Sequence, residues 1–248
     1  MEEMTWKEIE NAAAGGSIVA LIIGSTEQHG PHLPLGTDTY IPLGIAERVA
    51  SEAKLIIAPP ISYGYYSQVR SGGAGEYFPG TTSLKSSTLT ALIADVVEAF
   101  IKHGFKNFLI LIGHYENYPL ASESVQNAIK SSNRNDIRAL IVNWWELIPT
   151  DVLNAVFDNK FPGWEIEHAA IAETSILMAL RPELVRTKEI RDESTRRLEY
   201  DIIPAPTEII PKKGVPSRVS PASKEKGERL LSTVARRITE ILREQFAR

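Results

Sequence analysis

The chain contains no cysteine. That absence removes disulfide frameworks, thiolate zinc sites, iron–sulfur clusters and cysteine nucleophiles at once, and it suits a reducing compartment. Long apolar runs are missing as well. The longest, such as Ile18 to Ile23 and Phe108 to Ile112, fall far short of the ~20 residues that a membrane span requires, so no membrane partner is expected. The opening stretch MEEMTWKEIE is acidic and leads into no apolar run, unlike a secretory signal, and a cytoplasmic protein is expected. Nor is there a positive excess: 27 basic against 31 acidic side chains give a net charge of −4. Nucleic acid is therefore a poor partner, because neutralising phosphates needs clustered Lys and Arg. The basic doublets Arg196 with Arg197 and Arg236 with Arg237 have glutamates nearby in sequence and read as solvated faces. A GxSxG elbow is absent, and SGGAG from Ser71 to Gly75 is neither GxGxxG nor a P-loop, which disfavours serine-hydrolase and nucleotide chemistry.

What is present is an ordinary globular composition, 43% hydrophobic and 23% charged over 248 residues, enough for one large core. Short runs rich in Ile, Val and Leu alternate with longer amphipathic stretches, the pattern of βαβ units around a parallel sheet. Strands are expected at Ile18–Ile23, Leu55–Ala58, Asn107–Ile112 and Arg138–Asn143, and helices at Thr5–Ala14, Tyr40–Ala53, Ser86–His103 and Tyr118–Ser131. The expected fold is a three-layer α/β/α sandwich with a mostly parallel sheet, doubly wound by right-handed connections. Two stretches break the rhythm. Residues 59–85 form a long segment rich in Gly, Ser and Tyr, and loops of that length inside a domain are usually functional or disordered. Residues 186–223 are irregular and proline-bearing ahead of a final helix at Pro221–Phe246. The economical organisation is one domain over residues 1–248, with 186–248 as an irregular wrapping segment plus C-terminal helix.

The chemistry gathers at strand ends. The first strand runs into GSTEQHGPHLPLGTD, with Glu27 and His29 one residue apart and Asp38 further on. The third ends as GHYEN, where His114 and Glu116 repeat the spacing. Residues i and i+2 of an extended segment point the same way, so each pair can converge on one ion. Carboxyl ends of strands are also where open α/β sheets place their sites. Imidazole and carboxylate suit Zn²⁺ and Mn²⁺, and five such groups are more than one tetrahedral ion needs, so two ions sharing a bridging carboxylate is the better count. Asp38, isolated on its loop, is the natural bridge; the plainer alternative is that it caps a helix starting near Thr39. The segment GWEIEHAAIAETSILMAL reads as a helix apolar nearly all round. Glu173 falls within its apolar stripe, turned away from Trp164 and His168 on the opposite face; a carboxylate there is either a partner supporting the ligands or a substrate anchor, and structural support is expected.

Taken together, GSTEQHGPHLPLGTD, SGGAG…FPGTTSL, GHYEN and GWEIEH…ETS resemble the creatininase family, the metal-dependent creatinine amidohydrolases. The resemblance runs from Ile18 through the ASKEKGE segment. Many relatives acting on other amides look as if they carry GHGGN where this chain has GHYEN, so the Tyr115–Glu116 pair is similar to creatininase proper. The chain departs from the family pattern at Ala169 and Ala170, where glycines are usual, and in the AGEY stretch from Ala74 to Tyr77. The resemblance implies one metal held by Glu27, Asp38 and His114 and another by His29, Asp38 and Glu116. It further implies that Ser71 and Tyr115 contact substrate, that Trp144 and Trp164 enclose its ring, that His168 moves protons, with Glu116 as the other catalytic candidate, and that the chain assembles as a homo-oligomer, a hexamer. The implied activity is hydrolysis of a cyclic amide, creatinine to creatine, by water shared between two cations; another small amide, lactam or cyclic ketone is the alternative substrate.

Overall fold

The computed structural model describes residues 1–71, 73–195 and 198–246; the expected solvated face at Arg196 and Arg197 lies outside them. Four parallel strands, β1 (Ile18–Ile23), β2 (Leu55–Ile57), β3 (Asn107–Ile112) and β4 (Arg138–Asn143), lie in the order β2-β1-β3-β4. Every residue of β1 is buried, as are five of the six in β3, which is why both read as continuous apolar runs with no alternation.

The helices are α1 (Trp6–Ala14), α2 (Thr37–Ala50), α3 (Ser86–Lys102), α4 (Asn117–Ser131), α5 (Thr150–Val156), α6 (Ile171–Leu180) and α7 (Lys224–Phe246). From β1 the chain moves outward through α2 to β2, returns through α3 to β3, and continues through α4 to β4. Right-handed crossovers running in opposite directions put α2 on one face of the sheet and α3 with α4 on the other. The packing agrees: α2, α6 and α7 touch one another, while α3 packs on α4. The result is a single-domain three-layer α/β/α structure. On α3 the buried residues Leu89, Ile93, Val97 and Ile101 recur every four positions, one apolar stripe flanked by the half-buried Val96 and Phe100. On α7, Arg237 pairs with Glu240 and Glu244 at 3.1 and 3.5 Å, a solvated face as expected. No helix among the described residues is long and apolar enough to cross a membrane.

Helix α5 is not among the expected elements, and three expected ones differ from the sequence reading. Helix α2 begins at Thr37, three residues before Tyr40, so Asp38 sits in its first turn and is buried; it is not isolated on a loop. It does not cap the helix either, because Gly36 holds that position without a side-chain bond. Pro42 inside α2 has no N–H for the Asp38 carbonyl four residues earlier. That carbonyl instead nestles between the ends of β1 and β3, where a Cβ at Gly113 would lie 1.8 Å from it and one at Gly24 2.7 Å. Secondly, the stretch from Trp164 is not one helix. A 3₁₀ turn covers Trp164–Ile166, the chain breaks at Glu167–Ala170, and α6 starts at Ile171. The break follows from Ala169, whose φ of +52° no helix accommodates. Thirdly, α7 begins at Lys224 and not at Pro221.

Candidate metal centre

The sheet order reverses direction between β1 and β3, and in such sheets the crevice beyond that point is where ligands bind. Because Ile23 is paired with Ile112, the two strands end level. The loops that follow, carrying Glu27 with His29 and His114 with Glu116, therefore open into the same space. Asp38 enters it from the first turn of α2, and residues 59–85 cross over it, tied by bridges from Thr26 to Thr82 and from Tyr65 to Leu84.

Glu27, His29, Asp38 and His114 are all buried, and their nitrogens and oxygens converge. His114 Nδ1 lies 3.0 Å from Glu27 Oε2 and 3.2 Å from Asp38 Oδ2. His29 Nε2 lies 3.0 Å from Asp38 Oδ1, the other oxygen of the same carboxylate, and 3.7 Å from Glu173 Oε2. Asp38 thus stands between two groups of donors. The remaining nitrogen of each ring is spoken for by a backbone carbonyl: His29 Nδ1 is 3.0 Å from Glu27 O and His114 Nε2 3.1 Å from Tyr65 O. A carbonyl only accepts, so those nitrogens carry the protons. The other ring nitrogens face carboxylate oxygens, an arrangement that needs positive charge between them, whether a proton or a cation.

The electrostatics point the same way. Burial disfavours charge on both imidazoles, yet Glu116 and Glu27 raise the pKa of His114 well above the usual histidine value, and Asp38 and Glu173 do so for His29. Burial would raise Asp38, but the fields of His29 and His114 hold it below the usual carboxylate range. Glu27 Oε1 and Asp38 Oδ2 are buried with no hydrogen-bond partner among the described residues. Orphaned anionic oxygens beside imidazole lone pairs are the donor set of a divalent cation. Glu27, Asp38 and His114 form one group with ligand atoms within 4.8 Å of one another, and His29, His168 and Glu173 form a second.

That second group departs from the expected partnership. Glu27 and His29 do not meet on one ion; they flank Asp38. Glu116 is not gathered with His29: its Oε2 lies 3.1 Å from the far nitrogen of His114, and its Oε1 accepts from Gln68 N at 3.0 Å and from the Ser71 hydroxyl. The cause is local, since Glu116 stands at the start of α4 without a side-chain capping bond and faces Gln68 and Ser71 of the 59–85 loop. Glu173 is not turned away from the site. In the first turn of α6 it accepts a 2.6 Å bond from Ala169 N and faces His29.

The pocket above is lined by Ser71, Tyr115, Glu116, Trp144, Trp164 and His168, together with Trp145, Glu167 and Glu173. Trp144, from the turn after β4, meets Trp164 edge to face at 6.0 Å, and Tyr115 stacks on Trp145 at 6.1 Å. His168 packs against His29, ring centroids 4.3 Å apart. Sequence reasoning missed Trp145, Gln28 and Glu167. Burial and the neighbouring Glu173 push the Glu167 carboxyl well above its usual range. Its signal was the second acid of EIEH. His32, also passed over, is buried with Nε2 2.9 Å from Thr174 Oγ1, and burial with the nearby His29 lowers its pKa to about 4, so it is neutral support.

These features can be set beside known proteins. The profile of the creatininase family, described as creatinine amidohydrolase, matches residues 2–242. The creatinine amidohydrolase of Pseudomonas putida is 34% identical over 250 residues, spanning 98% of this chain and 96% of that protein. The 3-dehydro-scyllo-inosose hydrolase of Thermotoga maritima is 30% identical over 192 residues, 74% of this chain and 57% of its own length. Among solved structures, a manganese creatininase and a zinc–zinc creatininase variant each match with a TM-score of 0.96 at 33% identity, covering 100% of this chain and 98% of theirs. Over nearly its whole length, the chain belongs to the creatininase family of metal-dependent hydrolases.

Proposed function

We propose that the protein hydrolyses creatinine to creatine at a two-cation site. The observation that carries the reading is the buried cluster in which Glu27, Asp38 and His114 converge on one side and His29 on the other side of the same Asp38 carboxylate, with two orphaned oxygens. Two divalent cations, Zn²⁺ or Mn²⁺ as in the solved relatives, would supply Lewis acidity there and lower the pKa of water toward neutrality. Glu27, Asp38 and His114 would hold the first. His29 and Asp38 would hold the second, its third place going either to Glu116, which the family resemblance implies, or to Glu173, which the geometry favours. The creatinine ring packs against the edge-to-face pair of Trp144 and Trp164, which strips water from it. Ser71 and Tyr115 offer hydroxyls at the pocket wall. Water adds to the ring carbonyl, the amide C–N bond breaks to leave a carboxylate, and the ring nitrogen departs with a proton. His168 takes the proton of the attacking water and returns it to that nitrogen, the task for which a neutral-pH imidazole is suited. Hexameric assembly, resting on the resemblance, and a cytoplasmic location, resting on the acidic opening stretch and the short apolar runs, complete the reading.

Support for creatinine itself is the end-to-end similarity to the Pseudomonas protein, against 57% coverage of the inosose hydrolase. Turnover of creatinine, small lactams and cyclic ketones by one metal-loaded preparation tests it. Creatinine is expected to be the best substrate by kcat/KM; a cyclic ketone preferred over every amide would assign the site to the alternative chemistry.

A further inference from the structure

Gln28 lies between Glu27 and His29 in sequence, is buried, and its side chain ties together distant stretches of chain. The amide nitrogen donates to the Gly73 carbonyl at 2.6 Å and to the Gly214 carbonyl at 3.1 Å, while the amide oxygen accepts from Gly30 N at 2.9 Å. The orientation is forced, because the flipped amide would set its oxygen against two carbonyls and its NH₂ against an N–H. There is little slack around it: a Cβ at Gly214, where φ is +68°, would lie 1.9 Å from Gln28 Oε1. The amide nitrogen also lies 3.1 Å from His168 Nε2. Both of its protons are already committed to carbonyls, so it has none to give the ring. His168 Nε2 is in addition 2.8 Å from the backbone carbonyl of Gln28, which can only accept. The proton must be on Nε2, and the lone pair on Nδ1.

We infer that Gln28 is a positioning residue for His168: its clasped side chain holds in place the backbone carbonyl that accepts the Nε2–H, fixing the imidazole in that tautomer and leaving Nδ1 to exchange protons at the reacting centre. The inference rests on the reading that His168 moves the proton in ring opening. It gives the glutamine of the EQH motif a task separate from metal binding, and makes the loops carrying Gly73 and Gly214 part of the same setting.

The test uses zinc-loaded protein containing ¹⁵N-labelled histidine, with the His168 signal assigned by difference against His168→Asn. Wild type should show the Nε2–H form, and Gln28→Met, similar in length but without donors, should show a mixture of tautomers. In the same variant kcat for creatinine should fall about 10- to 100-fold, the usual effect of a small misplacement, with KM changing less and with zinc content and melting temperature near those of wild type. Gly214→Ala, which displaces the amide from the far side of the clasp, should reproduce the kcat loss. An Nδ1–H signal in wild type overturns the inference without any variant having to fold. Unchanged kcat in Gln28→Met, or a loss matched by lost zinc, overturns it equally. A parallel His168→Ala measurement keeps the two readings apart. Full turnover there removes the proton route itself, whereas a fall of about 10² to 10⁴ beside a normal Gln28→Met leaves the route standing and removes only Gln28.

Discussion

Ala169 carries a φ of +52° while fully buried, at a position where the family resemblance has glycine. The left-handed region costs an L-residue roughly 1–2 kcal/mol, and glycine's extra chain entropy costs about 0.5–1 kcal/mol, so the strain is the larger of the two. Ala169→Gly is expected to raise the melting temperature, by the equivalent of at most about 1 kcal/mol; a clear drop would show that the methyl group's packing outweighs the strain. The strained turn also sets the ligands, since Ala169 N holds the Glu173 carboxylate that faces His29. Metal content separates the two carboxylates proposed for the second ion. Asp38→Ala should lose both equivalents, and Glu173→Gln one of them. Retention of both by Glu173→Gln, with one lost in Glu116→Gln, would return the place to Glu116. None of this was legible in the spacing of Glu173, because a helical projection begun at Trp164 turns it to the wrong side; only the break at Ala169 corrects it.

The strands and the three helices α2, α3 and α4 stood out in the sequence because their patterns are set locally, by full burial in β1 and β3 and a four-residue stripe on α3. Helix α2 starts earlier than its pattern suggests because the burial of Thr37 and Asp38 in the crevice is a tertiary fact. Residues 186–223 had no period to read. The described ones are held by carboxylates accepting from the chain: Asp192 takes Val219 N at 2.7 Å, Ser220 N at 2.8 Å and the Ser220 hydroxyl at 2.7 Å, and Glu193 takes Lys212 N and Lys213 N, both at 2.9 Å. Burial would raise the Asp192 pKa, but the Ser220 and Val219 bonds outweigh it and the net shift is downward. A folded pKa below the unfolded one means a stabilisation present above the unfolded value, about 3.9, and lost as pH falls through the folded one. Asp192→Asn is therefore expected to melt lower than wild type at pH 7, with the gap closing in acid below about pH 4. A constant gap across that range would show that the carboxylate's charge is not what pins the segment.

Across the whole molecule, the doubly wound topology explains why five ligand candidates scattered from residue 27 to residue 116 share one crevice. The reversal between β1 and β3 sets their ends side by side, and Pro42 with Gly24 and Gly113 lets α2 bring Asp38 in between. Paired Glu and His motifs at two strand ends were readable from spacing, but the strand order that makes them neighbours was not. The division of Glu27 and His29 to opposite sides of Asp38 was equally hidden, because it depends on which ring nitrogen the Glu27 and Tyr65 carbonyls occupy. The central claim is that this cluster exists to hold cations that the chemistry needs. Its most direct test is metal analysis of the purified protein paired with creatinine turnover before chelation, after it, and after adding back Zn²⁺ or Mn²⁺. About two equivalents per chain are expected, with activity lost on removal and restored on return. Full turnover by metal-free protein would contradict the account.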